Sequence, residues 1–128
     1  MWVKVDDQFA EHPKIIKAGP VAGFLYIAAL CYANRHLTDG FIPAAHVTAL
    51  LPRNGVRAEE VLQRLCAAGL WAPATHNDTR GYQIHDYLQF QPSRKAVIKA
   101  RKNSAKRQAA WRAHHPKRNA VTTPLVRR

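Results

Sequence analysis

The sequence predicts a mainly helical fold with a small β-hairpin, a winged helix-turn-helix, followed by a basic and helical C-terminal extension. Three observations carry this expectation. Apolar residues recur at helical spacing in successive stretches between residues 20 and 68. Short alternating segments flank those stretches. All of the net charge gathers in the last part of the chain. With 128 residues the chain has room for one domain and an extension. We place the winged-helix domain at residues 1–92 and the tail at residues 93–128, helical to about residue 113 and disordered beyond it.

Each element has its own reason. Trp2–Val5 ("WVKV") alternates like a short strand, and a brief helical segment follows in "FAEHPKIIKAG", stopped by Gly19. Pro20 suits a first helical position and opens a long helix to about His36. Val21, Phe24, Leu25, Ala28, Cys31 and Tyr32 repeat along it, and Ala22, Ile27, Ala29 and Leu30 make its other side apolar too. That pattern marks the central helix of a core. Asp39-Gly40 makes a turn, Phe41-Ile42 a very short strand, and Pro43 starts a helix through "AAHVTALL". "PRNG" at residues 52–55 breaks it. A third helix runs from about Arg57 to Ala68, buries Val61, Leu62, Leu65 and Cys66, and ends at Gly69. "LWAP" reads as a strand, Ala74–Gly81 as a polar wing loop, and "YQIHDYLQF" as the returning strand. Tyr82, Ile84, Leu88 and Phe90 would share one face of that strand. Ser93, after Pro92, suits the N-cap of a final helix.

The formal charge is +12. Residues 1–92 contain eight Lys or Arg and eight Asp or Glu, whereas residues 93–128 contain twelve Lys or Arg and no acid. A neutral head therefore precedes a strongly cationic tail. A block of like charge repels itself and binds polyanions, of which nucleic acid is the first candidate. The tail lacks the bulky apolar face of an interfacial helix, and no stretch approaches the roughly 18–20 apolar residues of a membrane span. An acidic pair, Asp6-Asp7, stands where a signal peptide would be apolar. A cytoplasmic protein with no membrane partner is expected.

With this order in place, "WVKVDDQFAEHPK", "DGFIP" and "VLQRLCAAGLW…GYQIHDYLQFQ" resemble the N-terminal winged-helix domains of phage replisome organisers. Those are DnaD-like primosome initiation proteins, and the closest flavour is that of actinobacterial phages. The likeness covers residues 1 to about 92. It implies a non-enzymatic, DNA-binding role in starting replication, self-association as a homodimer, and the replicative helicase or another replication protein as a partner. In that family a second, helical domain usually follows the head; here the basic segment from Ser93 follows it. A winged-helix transcriptional regulator and a protein-interaction module with a non-specific basic tail are the alternative readings.

The residues expected to meet DNA follow from charge and shape. In the tail they are Arg94, Lys95, Lys99, Arg101, Lys102, Lys106, Arg107, Trp111, Arg112, Lys117 and Arg118. Val97, Ala100, Ala105 and Ala109 intervene, and no Pro or Gly interrupts Ser93 to Ala113, so a helix can form once phosphates relieve the repulsion. Trp111 would either stack on a base or dock the tail onto the head. A disordered solubilising extension and an acidic protein partner are the competing uses of this segment.

A weaker set lies in the head: Arg53, Asn54, Arg57, Gln63 and Arg64 around the third helix, and Arg80 in the wing. Glu59 and Glu60 in the first turn of that helix would repel phosphate, and Glu60 and Arg64 have the spacing of a surface ion pair.

No catalytic constellation, metal site or cofactor is expected. Cys31 and Cys66 read as buried, reduced thiols without ligand spacing. His114 and His115 are adjacent, a poor chelating arrangement, and Ser93 and Ser104 lack the glycine context of a nucleophile elbow.

Overall fold

The computed structural model describes residues 2–51 and 57–115. A single 3-10 turn, Phe9–Glu11, leads into α1 (Pro13–Ala18). His12 caps α1, its ring nitrogen Nδ1 accepting the Lys14 N–H at 3.2 Å, and Pro13 fills the first position, where no N–H is needed. Gly19, at φ 95°, lets the chain turn directly into α2 (Pro20–His36).

Helix α2 carries no charge from Pro20 to Asn34 and is apolar around its whole circumference. Its deeply buried side is the small one: Ala22, Leu25, Ala29, Leu30 and Ala33. Phe24 and Cys31, expected within the core, are exposed instead, so Cys31 is not the buried thiol that the sequence suggested. The alanines let neighbouring elements approach the helix axis; a phenyl ring on that side would hold them off. Cys66 is half-buried, and burial pushes its thiol pKa up.

Left-handed Leu37 and Asp39 and then Gly40 turn the chain into β1 (Phe41–Pro43), followed by α3 (Ala44–Leu50) and α4 (Ala58–Ala67). Val61 and Leu65 of α4 are buried and Leu62 is half-buried, as its periodicity predicts. The "PRNG" break falls outside the described residues.

Strands β2 (Trp71–His76) and β3 (Thr79–Ile84) form the hairpin. Together with β1 they make a three-stranded antiparallel sheet in the order β1-β3-β2, with Ile42 opposite Tyr82 and Trp71 opposite Ile84. A mainly helical chain with this small sheet has the winged helix-turn-helix arrangement. Pro73 is tolerated because β2 is an edge strand.

Three expectations change here. The wing is no eight-residue loop: the strands run to a two-residue turn at Asn77-Asp78, both left-handed (φ 50° and 63°), which matches the twist of a hairpin. The returning strand stops at Ile84, because left-handed Asp86 (φ 59°) turns the chain into α5 (Tyr87–Phe90). Tyr87 is thereby buried, and Leu88 and Phe90 are exposed rather than sharing a face with Ile84. Trp2–Val5 forms no strand; the backbone of Lys4 is paired instead by a side chain. The Gln91 amide donates to the Lys4 carbonyl at 2.6 Å and accepts the Lys4 N–H at 3.2 Å.

The fully buried side chains Leu25, Ile42, Val47, Leu65 and Ile84 come from α2, β1, α3, α4 and β3, so one core joins the head. Each contributes about 2 kcal/mol of burial. Among the described residues, those up to Arg94 make one compact unit and those from Lys95 onward a second. Helix α6 (Arg94–His114) begins at the junction. No helix among the described residues is long and apolar enough to cross a membrane.

Two predictions follow from this packing. A Cβ on Gly81 would collide with the Ile42 carbonyl oxygen and lie 2.8 Å from the Phe41 ring. Gly81→Ala should therefore prise β1 from β3 and cost about 2 kcal/mol in urea unfolding; unchanged stability would show that the strands pack less closely.

Tyr87 and Tyr26 have pKa values raised above 10.0, first by burial and then by the carboxylates of Asp39 and Asp86 respectively. Both stay protonated in the folded head at pH values where the unfolded chain ionises. Their stabilisation is complete below pH 10.0 and is lost as pH rises through the folded values. Tyr87→Phe should flatten this alkaline loss, and an unaltered pH profile would refute the assignment.

Candidate nucleic-acid interface

Helix α6 is assembled from good helix formers. Ala96, Ala100, Ala105, Ala109, Ala110 and Ala113 alternate with unbranched Lys, Arg and Gln, and no helix breaker occurs along it. Its length is about 31 Å at 1.5 Å per residue. The helix carries Arg94, Lys95, Lys99, Arg101, Lys102, Lys106, Arg107 and Arg112, all exposed to solvent. Lys117 and Arg118 lie outside the described residues, as do Arg53 and Asn54 of the head.

The lysines are not scattered. Lys95, Lys99, Lys102 and Lys106 follow one another at steps of four, three and four residues, and so form one line along the helix. Each consecutive pair is a like-charge neighbour that destabilises an isolated helix by about 0.2–0.5 kcal/mol. No acid on α6 offsets this repulsion. A line of phosphates meeting the same side chains would remove it and release condensed counterions as well. Charge counting alone missed this alignment; the spacing of the lysines shows it once the segment is read as a helix.

Trp111 has its ring stacked on His115, with centroids 4.5 Å apart and planes at 16°. The His115 Nδ1 lies 2.9 Å from the Trp111 carbonyl oxygen. The indole thus has a partner just past the end of its own helix, one turn away, although 43% of its surface stays exposed.

The head offers less to a polyanion. Arg57 precedes α4 and is exposed, followed at once by exposed Glu59 and Glu60. Gln63 and Arg64 are also exposed. The Arg64 guanidinium reaches Gly19, where an added Cβ would lie 3.5 Å from Nη1, and no ion pair with Glu60 occurs among the described residues. Arg80 stands on β3 opposite Thr75, close to Asp78 at the wing tip. These head cations therefore sit beside acids or against the neighbouring helix corner, whereas those of α6 have no acid on their own helix.

One further recess lies on the head, a groove of about 430 Å³ between the N-terminal segment, α1 and α5. Phe9, Tyr26 and Phe90 give it apolar walls, with His12, Lys4 and Asp86 at its polar positions. These side chains can hold an apolar group but form no nucleophile–base pair. No cluster of three or more metal-ligating side chains occurs among the described residues. Set against known protein families, curated proteins and solved structures, the chain matches none of them.

Proposed function

We propose that this chain is a DNA-binding winged-helix protein of replisome-organiser type, taking part in the initiation of replication. Helix α6 makes the phosphate contacts, and the head serves self-association. The observation that carries the DNA-binding reading is the line of four exposed lysines on a helix without an acid. The replication reading rests on the resemblance of residues 1 to about 92 to the winged-helix domains of phage replisome organisers. Self-association is supported by the apolar side chains that the head leaves exposed, among them Ile16, Phe24, Leu88 and Phe90. In this reading the protein acts in the cytoplasm of a bacterial host, needs no cofactor, and meets a replicative helicase or another replication protein at the DNA.

Salt dependence tests the phosphate contacts. If α6 neutralises ~6 phosphates, log K against log salt should fall with a slope of roughly −5. Replacing Lys95, Lys99, Lys102 and Lys106 with Gln should bring the slope to roughly −2, because each lost contact removes about 0.9. Replacing Arg57, Arg64 and Arg80 should change it by less than about 1. A slope insensitive to the four lysines would move the DNA site off α6.

A further inference from the structure

The charge around α6 is divided into two rows, and this division carries a finer reading that rests on the DNA-binding function proposed above. At about 100° per residue, Lys95, Lys99, Lys102 and Lys106 occupy about 60° of arc. Arg94, Arg101 and Arg112 occupy a second row only about 20° wide, centred about 120° from the first. Between the rows lie Ile98, Ala105 and Ala109, with both alanines exposed. The opposite side holds Val97, Ala100, Ser104, Gln108 and Trp111, with Arg107 as its one Lys or Arg.

We propose that α6 binds double-stranded DNA by lying in the major groove. The lysine row meets one phosphate wall, the arginine row meets the other, and Ile98, Ala105 and Ala109 face the base edges. The dimensions agree: a helix with its side chains is about 10–12 Å across, and the groove is about 12 Å wide. Two rows about 120° apart need two lines of phosphate to neutralise them, which a duplex offers and a single strand does not. Duplex RNA has the two lines, but its major groove is too deep and narrow to admit the helix. Alanine between the rows keeps the helix axis close to the floor of the groove, so that both rows reach their walls.

The composition of the floor-facing stripe fixes the kind of recognition. Ile98, Ala105 and Ala109 have no hydrogen-bonding group, so discrimination between bases is confined to apolar contact with thymine methyls. The binding is therefore weak in sequence preference and strong in its preference for a duplex. Trp111 lies about 140° from the centre of this stripe and stacks on His115, so its ring takes no part in base stacking. Arg107 lies about 110° beyond the lysine row, on the side away from the arginines, and meets neither wall.

The test uses the full chain with a short duplex DNA, its single strand and the matching duplex RNA, all at one salt concentration. A105L/A109L keeps charge and helix propensity but thickens the groove-facing stripe; A100L/A110L adds the same atoms elsewhere on the helix. The proposal expects duplex DNA to bind at least about tenfold tighter than the other two probes. It expects A105L/A109L to lose about tenfold in duplex affinity, and A100L/A110L and Trp111→Ala to stay within about twofold of the parent. Circular dichroism confirms that α6 remains helical in each variant. Preference for the single strand or for RNA, equal responses of the two leucine variants, or a large loss with Trp111→Ala overturns the groove placement and leaves the phosphate-binding reading standing. Absence of binding to all three probes overturns that reading as well.

Discussion

The head is organised by the small side of α2. Helices α1, α3 and α4 and strand β1 all pack against this helix. They can do so because Ala22, Ala29 and Ala33 present no more than a methyl group. Close packing on that side decides what the other side must carry. Phe24 has no room among the alanines and stands in solvent, beside a helix surface that is uncharged for four turns. The same helix is thus the axis of the core and, through Phe24, one source of the apolar exposure from which self-association is inferred. Its second role follows from the first.

Most elements of the head were legible because their signals are local. Pro20 and Pro43 opened helices, Gly19 and Gly69 stopped them, and Val61 and Leu65 marked the inner face of α4. Failures came where a long-range partner or a single backbone angle decides. Nothing near Lys4 reveals that a side chain 87 residues away will occupy its backbone and leave it outside the sheet. Asp86 is compatible with a strand until its positive φ ends one, and the alternation of Leu88 and Phe90 then describes exposed positions. The periodicity of α2 showed apolar residues on every side, which cannot tell which side the core takes. Asn77-Asp78, by contrast, is a two-residue turn signal that the sequence does contain, masked by the polar residues around it. In the candidate interface, the cationic character of α6 was visible in composition alone. The alignment of its lysines needed the helical register in addition.

Charge and core are kept apart along this chain. The head balances its acids against its bases and so carries no net formal charge. The tail does the reverse: all of its fixed charge has one sign, and its helix exists against the repulsion of its own lysines. Alanine content holds such a helix together without an apolar face. The circumference is thereby left free for charged side chains. Asp39 stands at the boundary between the two regimes. Its carboxylate accepts the Arg94 N–H at 2.6 Å, and its backbone carbonyl accepts the Gln83 side-chain amide at 2.8 Å. An acid in that place suits the positive end of a helix dipole.

Gln91 has a mechanical meaning as well. By clasping Lys4 through both polar atoms of its amide, it brings the start and the finish of the head side by side. The chain enters and leaves the head at one seam, as in a purse closed by a drawstring. Tension along the backbone beyond Arg94 meets the Asp39–Arg94 hydrogen bond first and this clasp next, before it reaches the buried side chains of β3.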